Sequence, residues 1–366
     1  MDQYTATMLE TPWVFVDTNV FIQYNFNFSE QSSLGILGDY AEDGVLHLVL
    51  TDITEREVRR NLRQRVDDSR QAVNAFRDDA GVLKNLHDPR FGMLVGPKPN
   101  YDEINQQLLA QWTTYLQRTA VTVVPVDGSR TTEVFERYFG GLPPFGGKGK
   151  KDEFPDAFAL LTLEEWLLKE NGPRGRMYVI SADGPVREYC ANHAQFVPVE
   201  KLKDLLVLSA LQVENQAKIV ALQHWLEQEP PGLELRIRKA FALLGFSLDQ
   251  FDGDVEWVTP LEVNVDDAHI IAVDETEANA VLTATISFNA EVSYPDPAGM
   301  HYDRETGETH NFYENLQRSL RRETQLEFEV QFRHPTTLGA EVAIDVIGIQ
   351  ALADQDVLVA LEEDEY

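Results

Sequence analysis

Cys190 is the only cysteine among 366 residues. No disulfide can form within the chain, and no zinc site built on several thiolates is available. No apolar run is long enough to cross a bilayer. The stretch Met1–Thr11 lacks the positive segment and hydrophobic run of a secretory signal. We therefore expect a cytoplasmic protein with no membrane partner. Basic residues are scarce too: 31 Lys and Arg stand against 61 Asp and Glu, a formal charge of -30. Tight nonspecific duplex binding across a broad surface is not expected. The deficit is uneven, since residues 1–210 carry 22 basic and 30 acidic side chains and residues 211–366 carry 9 and 31. Local basic clusters belong to the first part of the chain, and the acidity belongs mainly to the second.

What is present is an apolar fraction of 43%, enough for folded cores, and a length suited to two domains. Short apolar runs alternate with helical patterns through the first half. Pro12–Asp17, Val45–Thr51, Ala120–Val124, Met177–Ser181 and Phe196–Val199 read as strands. Helices are expected after Thr51 or Thr54, over Ile104–Leu116, Thr131–Phe139, Pro155–Lys169, Val186–Asn192 and Leu202–Leu211. That alternation predicts a mostly parallel sheet covered on both faces, a three-layer α/β/α domain over residues 1–210. A helical connector is expected over 211–231, ending at Glu229-Pro230-Pro231-Gly232. In 232–366 the segments Ala280–Val292, Thr324–Phe332, Glu341–Ile349 and Val357–Leu361 predict a β-rich antiparallel domain.

Four acids sit where such a sheet gathers its ligands. Asp17 ends the first strand in Val14-Phe15-Val16-Asp17-Thr18-Asn19, Glu57 lies early in a helix, Asp156 follows Pro155 at a helix start, and Asp183 follows the strand beginning at Met177. Ligands of an open α/β sheet collect at the carboxyl edge of its strands. Carboxylates converging there repel one another unless cations stand between them, so the set points to a divalent-metal site and to phosphoryl chemistry. Each acid has a structural alternative: an Asx-turn for Asp17, a capping box for Glu57 if Thr54 is the N-cap, helix-terminus charge for Asp156, and an ordinary loop with a sharp turn at Gly184 for Asp183. Asp152 or Glu153 stands close enough in sequence to replace or supplement Asp156. Arg56, Arg59, Arg60 and Arg63 share one broad helical face beside Glu57, and Lys148, Lys150 and Lys151 precede Asp156. These seven are either a phosphate-contacting track or solvated surface. Tyr24, Phe26 and Phe28 are assigned to packing rather than to base stacking.

Together these segments resemble the PIN-domain nuclease family over residues 11–200. The resemblance is carried by V-F-V-D-T-N at the start, Glu57 in I-T-E-R-E-V-R-R, Asp156 in F-P-D-A-F-A-L and Asp183 in V-I-S-A-D. It implies a PIN-like fold and a Mg²⁺ or Mn²⁺ site made by Asp17, Glu57, Asp156 and Asp183, with Asp152 a further candidate ligand and Asn19 assisting. It also implies phosphodiester hydrolysis, endonucleolytic, on single-stranded or structured RNA in preference to DNA. The long insert between Ala80 and Ala120 and the lysine loop depart from a minimal domain of that family.

Other readings follow from the same residues. An aspartyl-nucleophile phosphatase needs a second aspartate two residues after the first, where this chain has Asn19, although a small phosphate-ester hydrolase stays open. Gly146-Gly147-Lys148-Gly149-Lys150 lacks the Ser or Thr of a nucleotide-binding P-loop. A nonenzymatic protein with a structural PIN-like domain is the remaining alternative, with the acidic second domain docking a protein partner. His301, His310 and the acids between them match no firm metal spacing, and Glu362–Glu365 reads as a solvated tail.

Overall fold

The computed structural model describes residues 8–85, 97–146, 153–214, 216–228, 232–249, 253–296, 300–302, 309–311, 315–334, 345–352 and 356–361. The chain divides into two compact units that meet in sequence between Leu205 and Leu206.

The first unit is built on five short strands, β1 (Trp13–Val16), β2 (His47–Thr51), β3 (Thr122–Val124), β4 (Met177–Ile180) and β5 (Phe196–Val199). They pair in the order β3-β2-β1-β4-β5, every pair parallel. Val14, Val16, Val49, Met177, Val179 and Ile180 are all but inaccessible, as expected of strands covered on both faces. The helices are α1 (Thr18–Gln23), α2 (Ser33–Glu42), α3 (Asp52–Asp79), α4 (Tyr101–Arg118), α5 (Thr131–Gly140), α6 (Phe154–Asn171) and α7 (Gly184–Ala191). α8 (Leu202–Val213) spans the boundary between the units. Among the described residues no helix is long and apolar enough to cross a membrane.

Two local causes place the site. The strand order reverses between β1 and β4, which opens a crevice at their carboxyl ends. α3 starts at Thr51, whose hydroxyl accepts the Thr54 amide at 3.1 Å and meets the Thr54 hydroxyl at 2.9 Å. Thr51, not Thr54, is therefore the N-cap. Glu57 stands in the second turn of the helix and is not the acid of a capping box. α2 was not anticipated from sequence: it starts from Ser32, whose hydroxyl accepts from Gly35, and nearly all its residues are buried. An added Cβ at Gly35 would meet the Ser29 carbonyl at 1.8 Å, so this close approach requires glycine.

The second unit holds a four-stranded antiparallel sheet in the order β12-β11-β8-β7. Its members are β7 (Asp254–Val273), β8 (Glu277–Tyr294), β11 (Leu316–Arg333) and β12 (Asp345–Leu352). Leu282, Ala284, Ile286, Phe288 and Ala290 are buried in the expected period of two. α9 (Gln216–Glu227) and α10 (Leu233–Phe241) pack on this sheet, with Trp225 against Phe332 at 5.5 Å and Phe241 against Phe288 at 5.2 Å. β6 (Phe246–Leu248) pairs with β13 (Val357–Val359). β9 (Met300–Tyr302) and β10 (Thr309–Asn311) pair antiparallel, flanking the expected hairpin tip, which lies outside the described residues. So does the tail Glu362–Glu365.

Candidate functional site

Asp17 leaves β1 with its amide bonded to the Ile180 carbonyl of β4 at 3.0 Å, so the β1–β4 pairing itself aims its side chain. It makes no capping bond to α1, which removes the Asx-turn account of its carboxylate. Oδ2 instead accepts from the Ser181 hydroxyl at 2.6 Å and from Asn19 Nδ2 at 2.8 Å. Asn19 also donates to Ser181 Oγ at 3.2 Å, and the Asp183 amide donates to that same oxygen at 3.1 Å. Ser181 thus ties the ends of β1 and β4 together. Asn19 Oδ1 is buried and accepts no hydrogen bond.

The other acids arrive from three elements. Glu57 on α3 accepts from the Thr18 hydroxyl at 3.1 Å, which links the second turn of α3 to the first of α1. Asp156 is the third residue of α6, with Pro155 before it in the first turn where no intrahelical donor is needed. Asp183 is exposed and caps α7, its Oδ1 accepting from Val186 at 2.9 Å.

These charges act on one another. Burial pushes the Asp17 carboxyl up to about 6, against the Ser181 hydroxyl and Thr18 amide, which favour its charged form. The charges of Asp183 and Glu57 contribute to that rise. Asp156 is pushed up to about 8, first by burial and then by the charges of Asp17, Glu57, Asp183 and Glu153. The structure therefore brings Asp17, Glu57, Asp156 and Asp183 into one electrostatic neighbourhood at the strand-order reversal. Among the described residues, however, no three Asp, Glu, His or Cys side chains are gathered into a ready coordination shell. In chemistry the donor set suits a hard divalent ion, being all oxygen and strongly negative, with the orphaned Asn19 Oδ1 beside it. In position, it needs side-chain movement to close on one.

Cys190 is no rival nucleophile. Its thiol is buried and is pushed up to about 12 by burial and by the Asp17 charge.

The basic residues divide. Arg56 is exposed and pairs with Asp52 at 2.7 Å, while Arg59 is held by Glu55, which also accepts from Trp112 Nε1 at 3.4 Å. Arg60 and Arg63 are exposed, Arg60 three residues from Glu57 and so its neighbour on the helix surface. Lys148, Lys150, Lys151 and Asp152 lie outside the described residues. Of the three aromatic residues assigned to packing, Tyr24 and Phe26 are core, whereas Phe28 is half-buried at the rim of a groove. Sequence reasoning expected a helix over Ile104–Leu116, borne out as α4, but did not anticipate that it forms a wall of that groove. The only signal of that wall was the helical recurrence of polar residues at 107, 111, 114 and 118.

Residues 14–185 match the family model of the PIN domain. Neither the comparison with curated proteins nor that with solved structures found a match. PIN domains have a nuclease-type fold, bind nucleic acids and generally use divalent metals. The parallel five-stranded sheet and its flanking helices agree with that match. The first half of this chain belongs to the PIN domain family.

Proposed function

We propose that the PIN domain is a divalent-metal-dependent nuclease that hydrolyses phosphodiester bonds endonucleolytically, with RNA preferred to DNA. The observation that carries this is the strand-order reversal at β1 and β4. There Asp17, fixed by Ser181 and Asn19, and Glu57, fixed by Thr18, meet Asp183 and a half-buried Asp156 whose charge they oppose. A cluster of mutually opposed acids stores negative potential that a cation relieves. Asp17, Glu57, Asp156 and Asp183 would hold Mg²⁺ or Mn²⁺, with Asp152 a further candidate ligand. When bound, the ion supplies a Lewis acid for the phosphodiester and a lowered pKa for the attacking water.

The protein's own residues do the rest. Ser181 and Asn19 hold the Asp17 carboxylate in one orientation. Thr18 does the same for Glu57. Asp183 keeps one oxygen on the α7 amide and leaves the other for the site. Asp156 would have to release the proton that burial and the neighbouring acids favour for an ion to be held there, so ion binding would release protons. Arg60 and Arg63, with Lys148, Lys150 and Lys151, position phosphates and carry no sequence information, whereas Arg56 and Arg59 are engaged by Asp52 and Glu55. The acidic second unit is an accessory domain that excludes nucleic acid from its own surface and is available to a protein partner. We propose a PIN-like domain over 1–210, a helical connector over 211–231 whose α9 packs on the antiparallel sheet, and the accessory domain proper over 232–366.

The test is cleavage of matched single- and double-stranded RNA and DNA in Mg²⁺ or Mn²⁺, by wild type and by Asp17→Asn and Asp183→Asn proteins checked for folding. Cleavage abolished in both variants supports the proposal. The competing reading, a structural PIN-like domain in a nonenzymatic protein, draws on the absence of a ready coordination shell among the described residues. Intact substrates with both ions would favour it. Turnover of small phosphate esters alone would point to a phosphatase instead.

A further inference from the structure

We infer that the groove between Phe28 and α4 is a base-binding subsite for a single-stranded nucleic acid lying across the PIN domain. This rests on the reading of the domain as one that acts on nucleic acid. The groove encloses about 680 Å³ and is lined by Phe28 and Tyr115 together with Asn27, Gln107, Gln111 and Arg118. That volume lies within the range of small-molecule sites, roughly 300–1,000 Å³.

The aromatic side is rigid. The Phe28 ring packs tilted against Tyr115 at 4.6 Å and Trp112 at 5.5 Å, with interplanar angles of 34° and 35°. Trp112 and Tyr115 are buried, so Phe28 is backed by a fixed layer while its rim lines the groove. The turn that delivers it is unusual. Asn25 and Phe26 are consecutive non-glycine residues at φ 48° and 51°, a left-handed conformation that bulky side chains rarely adopt. Such strain persists only where surrounding structure enforces it. Here the enforced turn sets Asn27–Ser29 against α4.

The polar lining says which part of a nucleotide fits. Arg118 is the groove's only cation among the described lining residues, and its guanidinium is already committed to Asp39 at 2.6 Å and to the Gly35 carbonyl at 3.1 Å. A phosphate finds little unneutralised positive charge here. Gln107 and Gln111 each offer both a donor and an acceptor, and Asn27, whose Oδ1 already accepts from the Ser29 amide at 3.1 Å, offers its amide donor; this mixture suits the edges of a nucleobase. A flat, neutral, hydrogen-bonding ring on an aromatic platform is the ligand this lining fits, and such bases are available in single strands rather than in duplexes.

The position agrees. α1 carries Asn19 at its start and leads into the turn before Phe28, and its six residues span only about 9 Å at 1.5 Å per residue. A strand with its scissile phosphate at the acidic centre would meet the groove a few nucleotides away.

The test is equilibrium binding of a labelled oligonucleotide to the full chain in EDTA, where cleavage does not intervene. Wild type is compared with Phe28→Leu and with Ala110→Trp, which fills the groove from an exposed position on α4. Each variant is expected to weaken single-strand binding at least about fivefold, the low end of one base–aromatic stack. An abasic strand of equal length should bind both variants and wild type alike. Folded variants that bind the intact strand as tightly as wild type would overturn the subsite and leave the nuclease reading untouched. Weakened binding in the variants, with no cleavage by wild type in either metal, would keep the subsite and remove the nuclease. A nucleoside monophosphate that matches the strand's affinity would overturn the assignment to a strand in favour of a free nucleotide.

Discussion

The Ser181 hydroxyl donates to Asp17 Oδ2 at 2.6 Å across 164 residues of sequence. This bond joins the carboxyl ends of β1 and β4 at the place where strand order reverses, and it is one of the few forces favouring the charged form of a buried carboxylate.

Ser181→Ala should therefore raise the Asp17 pKa above about 6, because it removes a bond to the ionised form. The acid limb of the cleavage pH profile is expected to move to higher pH. Stability in the neutral range should fall by about 1–3 kcal/mol, the usual cost of leaving a buried acceptor short of a partner. A pH–rate series and denaturant melts of the two proteins measure both effects.

The raised pKa values also fix the sign of the pH dependence of folding. Asp17 and Asp156 bind protons more tightly folded, at about 6 and about 8, than unfolded, near 3.8. Their contribution is fully present below about pH 4 and is lost as pH climbs through 6 and then 8. The melting temperature of the protein in EDTA should consequently fall between pH 5 and pH 8.5. Asp156→Asn should flatten that fall and, at pH 8, be more stable than wild type by about 1–3 kcal/mol, since one pKa unit is about 1.4 kcal/mol. Added Mg²⁺ or Mn²⁺ should raise the wild-type melting temperature more at pH 8 than at pH 6. A melting temperature in EDTA that rises over this range would sink the electrostatic account of the cluster.

Asp183→Asn separates charge from structure. Asparagine caps helices about as well as aspartate, so the bond to the Val186 amide survives. The variant should stay within about 0.5 kcal/mol of wild type while cleavage drops by roughly 100-fold or more. Calorimetry and single-turnover cleavage on the same preparation test the pair of expectations.

On α3 the arginines should divide by their partners. Arg60→Ala and Arg63→Ala are expected to weaken binding and to flatten the dependence of log affinity on log salt, by about 0.7 for each phosphate of a single strand that is no longer neutralised. Arg59→Ala should leave that slope unchanged and lower the melting temperature instead, because Arg59 is already held by Glu55 beside the buried Trp112. An equal change of slope for all three would show that the Glu55 pairing does not matter.

The elements that sequence reasoning missed have physical causes. α2 has little polar face, and Gly35 and Gly38 interrupt its apolar pattern, so its period is faint. β7 carries Asp254, Glu256, Glu262, Asp266 and Asp267, and shifts register between Val255 and Trp257, Pro260 and Glu262, Val265 and Asp267, and Ile270 and Ala272. Each shift resets the alternation by which a strand is recognised. α10 begins just after Pro231 from Gly232 at φ 89°, a composition that reads as linker. By contrast β1, β4 and β8 were legible because burial imposes its pattern directly on them: unbroken apolar runs in the first two, strict alternation in the third.

Sequence alone determined that short buried strands alternate with helices in the first half, that each acid sits just beyond a strand or near a helix start, and that a β-rich acidic segment follows. Those are local properties, set by the side chains a few residues either side. The order β3-β2-β1-β4-β5, the reach of Ser181 to Asp17, the burial and mutual repulsion that lift Asp156 and the groove behind Phe28 were decided only by the tertiary structure. Each depends on which distant segments the sheet and its helices bring side by side, and no local periodicity encodes that adjacency.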